Sequence, residues 1–345
     1  TRVGLLLAGG TGTRLYPASR ADRPKQFQTF GGDRTLLRRA ADRLEFLDEQ
    51  YAITRSAYAS RVADIVPEAT VLTEPEAKDT GPALAYATHE IASRENDPVL
   101  LCTPSDHVIG DGFQADASTA LDAAAASGGL VTLGIEPTRP ATEYGYILPA
   151  DTAAETMTDY PAVEAFHEKP DEETAETLIE QGARWNAGIF AWRPSAFLDA
   201  ARSTALGSLV DALESGDPVG GFESVPTISV DNAVLEVASN VYVTQATFPW
   251  DDLGSWDALE RLAGEVRSSD ATGAGPAADE NTVIGDALAQ DAEGNVIASD
   301  DKHVSLVGVD DLVVAAFDDR VLVIPKDRAQ EVRSIVRELR ESGLF

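Results

Sequence analysis

Short apolar runs alternate with amphipathic stretches over roughly the first 200 residues, the signature of strands and helices taking turns. Residues 3–8 read as a buried strand. Residues 35–48 read as a helix with Leu36, Leu37, Ala40, Leu44 and Leu47 along one face. A further helix follows Pro82, the run 98–103 reads as a strand, 113–127 as a helix and 130–135 as a strand. This rhythm predicts an α/β fold with a mostly parallel sheet and helices on both faces.

The pattern changes late in the chain. Residues 268–276 are small, polar and rich in Gly and Pro, which is linker composition. Beyond them, closely spaced apolar runs (304–307, 312–315, 321–324) are separated by Asp and Gly turns. Residues 327–341 place Val332, Ile335, Val336 and Leu339 at helical spacing. Two domains are expected: 1–267, and a small β-rich domain over 277–345 closed by a terminal helix. Ile284-Gly285-Asp286 looks like one imperfect rung of a β-helix.

Composition narrows the setting. With 43% hydrophobic residues in 345, the chain can bury a sizeable core. Its 27 Lys and Arg against 58 Asp and Glu give a net charge of -31, which repels DNA, RNA and anionic membranes. Self-repulsion of that size calls for screening, and at ~1 M salt the Debye length is only about 3 Å. A halophilic protein of a salt-rich cytoplasm is the reading that follows, against the blander one of an ordinary acidic protein. Cys102 is the sole cysteine, so an intrachain disulfide is excluded. No apolar run approaches the ~18 residues of a membrane span. The apolar opening runs straight into glycines rather than a cleavage site, so it is expected to be a strand and the protein cytoplasmic.

The strongest local signal is Leu7-Ala8-Gly9-Gly10-Thr11-Gly12-Thr13-Arg14-Leu15-Tyr16-Pro17, followed by Pro24-Lys25-Gln26-Phe27. A strand opening into a glycine turn presents backbone N–H groups to a phosphate chain, and Arg14 and Lys25 add the charge that backbone alone lacks. It is neither a Walker loop nor a dinucleotide fingerprint, which excludes an NAD-type dehydrogenase. Pro104-Ser105-Asp106-His107 follows a predicted strand, where parallel sheets bind ligands. Pro249-Trp250-Asp251-Asp252-Leu253-Gly254-Ser255-Trp256 offers a second carboxylate, and one from each segment can clamp Mg²⁺. His107 is expected to be structural, since Mg²⁺ prefers oxygen. Glu168, Lys169 and Asn186 have the chemistry for sugar hydroxyls and a phosphate. Basic residues are scarce, yet Arg14, Lys25 and Lys169 fall within these motifs, Arg20 within Ser19-Arg20 between the two halves of the glycine loop, and Lys78 within Lys78-Asp79-Thr80, which predicts a cationic basin for anionic substrates.

Taken in order, these blocks resemble the mannose-1-phosphate guanylyltransferases over nearly the whole chain. Further matches are Glu74-Pro75 with Lys78-Asp79-Thr80, Gly134 to Pro140, Tyr144-Gly145-Tyr146-Ile147, Trp185-Asn186, Ser229-Val230-Asp231 and Pro325-Lys326-Asp327-Arg328. The resemblance implies a Rossmann-like nucleotidyltransferase domain with a mostly parallel sheet, plus a β-helix-like C-terminal domain and terminal helix. It implies GTP and mannose 1-phosphate as substrates, with Ala8, Gly9, Gly10, Thr11, Gly12, Thr13 and Arg14 cradling the GTP phosphates. Lys25 would lie at the reacting centre, and Glu74, Thr80, Pro104 and Ser105 around the guanine and ribose. Asp106 and Asp252 would hold Mg²⁺, while Tyr144, Gly145, Glu168, Lys169 and Asn186 would line the sugar-phosphate site. By analogy the β-rich appendage implies a homodimer.

Three residues depart from the family pattern: Asp79 for a usual Asn, Glu143 for Gly, and Ala187 for Ser. They put base recognition and the sugar pocket in question. No fused isomerase of the kind carried by longer relatives is expected, and the protein is expected to be monofunctional. Two rival readings remain: a nucleotidylyltransferase for another sugar or nucleotide, and a non-catalytic sensor of the nucleotide sugar. A sensor could dispense with Arg14, Lys25, Asp106 and Asp252, all of which this chain keeps.

Overall fold

The computed structural model describes residues 1–10, 12–30, 32–150, 160–261 and 281–345. The expected linker, 268–276, and Thr11 lie outside the described residues. The chain forms two compact units whose segments alternate in sequence: Thr1–Gly9 with Ala40–Ser105 and Ile109–Trp250, and Gly10–Arg39 with Asp106–Val108 and Asp251–Phe345.

The first unit is built on a nine-stranded sheet. Strands β1 (Arg2–Leu7), β2 (Glu49–Arg55), β3 (Thr70–Glu74) and β4 (Val99–Pro104) pair in parallel, in the order β4-β1-β2-β3. Val3, Leu5 and Leu6 have no exposed surface, so β1 is buried on both faces, as a central parallel strand must be. Two-residue β5 (Val108–Ile109) comes next in sequence, then β6 (Leu130–Ile135), β7 (Gly145–Pro149), β8 (Val163–Glu168), β9 (Arg184–Trp192) and β10 (Val241–Ala246). β9 inserts antiparallel between β4 and β6, β10 pairs parallel with β6, and β7 pairs antiparallel with β8 and β9. The mostly parallel sheet is therefore interrupted by one long reversed strand.

Helices Thr80–Arg94 and Phe113–Ser127 lie where the sequence predicts them, although the first begins two residues before Pro82. Proline is tolerated there because the first-turn N–H groups have no intrahelical acceptor. The predicted helix 35–48 is shorter, spanning Leu36–Asp42. Leu44, Glu45 and Leu47 instead donate to the carbonyls three residues back. Its apolar face survives the tightening, with Leu44 fully buried and Leu47 nearly so. Trp192 stacks on Phe197 at 4.2 Å within this unit's core, where Phe222 is also buried.

In the second unit, following two-residue β11 (Trp250–Asp251), β12 (Thr282–Gln290), β13 (Val296–Val307) and β14 (Leu312–Phe317) pair in parallel, and β15 (Arg320–Pro325) returns antiparallel. The register of β12 on β13 shifts between Ile284 and Asp286. The C-terminal helix Val332–Glu341 buries Val332 and Val336. Ile335, placed on its apolar face by spacing, is instead 41% exposed. The core of this unit includes Val296, Ala298, Val313, Ala315, Phe317, Val332 and Val336, and the same core holds Leu15, Tyr16, Ala18, Phe30 and Leu36 from the N-terminal loop.

Candidate functional site

In the first unit the candidate residues gather at the carboxyl ends of the parallel strands. Ala8 follows β1, Glu74 ends β3, and Pro104 ends β4 with Ser105 next. Each is locked by the sheet: Ala8 N–H donates to Ile53 O at 2.9 Å, and Ser105 donates to Leu7 O through both its N–H and its hydroxyl. The Ser105 hydroxyl thus fixes the turn. Burial pushes the Glu74 carboxyl up to about 7, with Arg55 opposing and Asp79 adding to the rise. A Cβ on Gly9 would come within 3.1 Å of Glu74 Oε1, so any larger residue there would push that carboxyl back by a few tenths of an ångström.

Asp79 caps helix Thr80–Arg94, its carboxylate accepting from Thr80 N at 2.7 Å with φ at +70°. Either Asp or Asn can make that cap, so the departure from the family pattern is absorbed locally. The Thr80 hydroxyl accepts from Val230 N at 2.9 Å, and Gly81 N donates to Ile228 O. Lys78 donates through Nζ to the carbonyls of Phe222 and Val225 and pairs with Glu76. Its charge tethers the 222–230 segment and does not belong to a substrate basin, which corrects the expectation from sequence.

On the antiparallel side, Gly145 lies opposite Glu168, and Lys169, with φ at +46°, pairs its ammonium with the Glu168 carboxylate. Tyr144 packs edge-on against Trp185 and Trp250, at 5.1 and 5.0 Å between ring centroids. Glu143 is engaged by Arg139, whose guanidinium also lies over the Tyr144 ring. Asn186 donates through Nδ2 to Asp231 Oδ1 at 2.7 Å and accepts from Gly188 N at 3.0 Å. Ala187 is fully buried on the opposite face of β9 from Asn186, so its departure from Ser does not reach that surface. Asp231, in Ser229-Val230-Asp231, gains its place at the site only through the Asn186 contact. Burial raises its carboxyl to about 6, against the Asn186 hydrogen bond.

The second unit holds the charged cluster. Gly12, at φ 56° and ψ 43°, opens the turn Thr13–Leu15, and Lys25 begins a second turn after Pro24. Lys25 is only 4% exposed. A buried ammonium must be paired and hydrogen-bonded, and this one donates to Asp106 Oδ2 at 3.0 Å and to the Asp252 carbonyl. Arg14 reaches the Asp252 carboxylate at 3.4 Å, and Gly254 N donates to its other oxygen at 2.8 Å. Asp106 is pushed up by burial, but Lys25, His107 and Arg14 outweigh that and hold it below the usual carboxylate range. Gln26, without a role in the sequence reading, donates to Gly10 O at 2.9 Å and ties the two ends of the loop.

Asp251 points elsewhere. It is buried, paired with Arg261 at 2.9 Å, and accepts from Leu253 N at 2.8 Å, which holds Leu253 at φ +47°. Of the two adjacent aspartates, Asp252 is therefore the one turned toward Arg14 and Lys25. Arg20 is likewise committed, to Asp318 and Asp319, and drops out of the predicted basin. The acceptors around Lys25 are all oxygen, the set that suits Mg²⁺. Among the described residues no group of three His, Cys, Asp or Glu side chains is placed to hold a metal. An ion held by Asp106 and Asp252 would thus complete its shell from phosphate and water.

The profile of the nucleotidyl transferase family matches residues 3–269. The chain belongs to that family. A mannose-phosphate isomerase/GMP-like β-helix domain matches residues 285–339 of this nucleotidyltransferase. The xanthan biosynthesis protein XanB of Xanthomonas campestris pv. campestris is 35% identical over 98% of this chain and 73% of its own length. A mannose-1-phosphate guanylyltransferase of Klebsiella pneumoniae is 33% identical over 98% of this chain and 74% of its own. A crystal structure from Thermus thermophilus, described as a mannose-1-phosphate geranyltransferase, superposes with a TM-score of 0.86 at 36% identity, covering 98% of this chain and 99% of that one. Among the described residues no helix of this family member is long and apolar enough to cross a membrane.

Proposed function

We propose that this nucleotidyltransferase transfers GMP from GTP to mannose 1-phosphate, releasing pyrophosphate. One observation carries the reading: a buried lysine, placed by a glycine turn, held between the Asp106 carboxylate and the Asp252 carbonyl. A sugar-phosphate oxygen attacks the α-phosphorus, and the bond to the pyrophosphate oxygen breaks. The nucleophile is already ionised at neutral pH, so no general base is needed. The chain's work is orientation and charge stabilisation.

Arg14 and Lys25 stabilise the phosphoryl and departing oxygens, and the loop Ala8–Arg14 supplies N–H donors. Glu74, Thr80, Pro104 and Ser105 take the base and ribose. Tyr144, Gly145, Glu168, Lys169 and Asn186 take the sugar phosphate. Arg14 and Lys25 are matched in charge by Asp106 and Asp252, so the four sum to zero and leave a triphosphate uncompensated. That deficit supports Mg²⁺ as the cofactor, held by Asp106 and Asp252 and serving as Lewis acid.

The same reading divides the chain into a catalytic domain, 1–267, and a β-rich domain, 277–345. It places the protein in a cytoplasm of high ionic strength, as a homodimer. Pyrophosphate release measured with GTP, ATP, UTP and dTTP against mannose and glucose 1-phosphates tests the function. Turnover only with the GTP and mannose 1-phosphate pair is expected. Preference for another pair refutes the specificity, and no turnover with any pair favours a sensor.

A further inference from the structure

The loop that carries Arg14 and Lys25 is anchored at two places between them, and both anchors belong to the C-terminal segment. The first is apolar. Leu15, Tyr16 and Ala18 share a core with Val313, Phe317, Val332 and Val336. Trp256 donates its indole N–H to Tyr16 O at 2.9 Å, while Phe317 lies 6.0 Å from the Trp256 ring and Phe345 6.1 Å from the Tyr16 ring.

The second anchor is ionic. Arg20 and Arg23 exchange backbone hydrogen bonds at 3.0 and 3.1 Å, closing a turn that ends two residues before Lys25. Both guanidinium groups donate to the Asp318 carboxylate, and Arg20 also reaches Asp319 at 3.5 Å. Asp318 sits in the two-residue turn between β14 and β15, at φ +50°. Its N–H donates to Asp300 Oδ2 at 2.6 Å, and Lys302 pairs with Asp300 at 2.6 Å. A carboxylate held this firmly can define where two long arginines stop.

We propose that the C-terminal β-rich segment is the bed on which the catalytic loop is positioned, with Asp318 the positioning residue acting through Arg20 and Arg23. The role assigned to Lys25 rests on the proposed guanylyl transfer, but the anchoring itself does not. Asp318 touches neither Arg14 nor Lys25 directly. Its loss should therefore loosen the loop and spare the rest of the sheet.

The test uses the full chain with Asp318→Ala and Asp318→Asn, compared with Asp301→Ala as an acidic surface control. Hydrogen exchange followed by mass spectrometry should show faster uptake across residues 12–30 in both Asp318 variants, with β1 to β4 unchanged. Steady-state pyrophosphate release should show kcat lowered about 10-fold with KM for both substrates within about 3-fold, the pattern of lost positioning rather than lost binding. Unchanged exchange over 12–30 overturns the anchoring, as does slackening of the whole molecule. Faster exchange there with unchanged kcat overturns the catalytic role. If the unsubstituted protein turns over no nucleotide, the guanylyl reading fails, and the exchange data alone decide whether the segment anchors the loop.

Discussion

Replacing Gly12 by alanine tests the site at its tightest point. The residue sits at φ +56°, where an L side chain costs roughly 1–2 kcal/mol. The new Cβ would lie 2.4 Å from Lys25 Cβ and 3.1 Å from its Cδ. Carbon atoms settle about 3.5–4.0 Å apart, so one backbone must give by roughly 1 Å. The close atom is the Lys25 Cβ, so a rotamer change cannot relieve the contact, and the lysine backbone itself must move. A shift of that size would break the 3.0 Å contact with Asp106. Misplacing a catalytic group by about 1 Å can cost ~10² in rate. The expected outcome at 25 °C is kcat lowered about 100-fold, with a loss of roughly 3–5 kcal/mol in stability, because a buried ammonium is left without its carboxylate, and a Tm lowered by several degrees. Pyrophosphate release at saturating substrates measures the first, and thermal melting the second. Because the rate effect runs through the Lys25 ammonium, adding Gly12→Ala to Lys25→Met should lower kcat little further than Lys25→Met alone, even though methionine keeps the clashing Cβ and the double variant melts lower. Gly10→Ala is the counterpart, since a Cβ there meets no described atom within 4 Å and should leave Tm unchanged. A kcat within about 3-fold of the unsubstituted protein in Gly12→Ala, or full additivity with Lys25→Met, would refute the reasoning.

Further outcomes follow from the same geometry. Asp106→Asn and Asp252→Asn should each lower kcat by ~10²–10³ with circular dichroism unchanged, and near-normal turnover in both would remove the metal assignment. Glu74, raised to about 7 from an unfolded value near 4.3, keeps its proton longer in the native state than in the unfolded one. Stability is then lost as pH rises between those values, by at most about 4 kcal/mol, and Glu74→Gln should melt higher than the parent at pH 8 but not at pH 4. Equal melting differences at the two pH values would contradict this. With a net charge of -31, melting temperature should climb as KCl is raised from about 0.1 M to 2 M, and a flat profile counts against the salt-rich setting.

The helices Thr80–Arg94 and Phe113–Ser127 and strands β4 and β6 are legible because each is a bounded apolar or amphipathic run. The direction of β9 is not. Arg184–Ile189 alternates between buried and half-buried positions and the rest of the strand is buried on both faces, and neither pattern says that it runs against β4 and β6. Arg14, Lys25, Asp106 and Asp252, singled out from three separate motifs, do meet around one ammonium. Lys78 and Arg20 looked alike in sequence, as cations inside motifs, yet their acceptors lie 144 and 298 residues away. Local spacing cannot show such partners. Asp231 was hidden for the same reason, because its meaning comes from Asn186 on a different element.

The five lysines show how an acidic chain uses scarce positive charge. Lys302 pairs with Asp300 and Asp301, Lys326 pairs with Glu260 and Asp311, and Lys78 holds two carbonyls. Only Lys25 and Lys169 pair with carboxylates that themselves belong to the proposed substrate chemistry, Asp106 and Glu168. The two differ in burial. Lys169 is half exposed, where water and salt weaken its pair, whereas Lys25 is 4% exposed and its charge is felt at lower dielectric. High salt should therefore weaken whatever Lys169 contributes to binding the sugar phosphate, raising that KM, while leaving the kcat contribution of Lys25 largely intact. Burial keeps the charge proposed for catalysis effective as ionic strength rises, and the carboxylate and carbonyl around Lys25 are what make that burial tolerable.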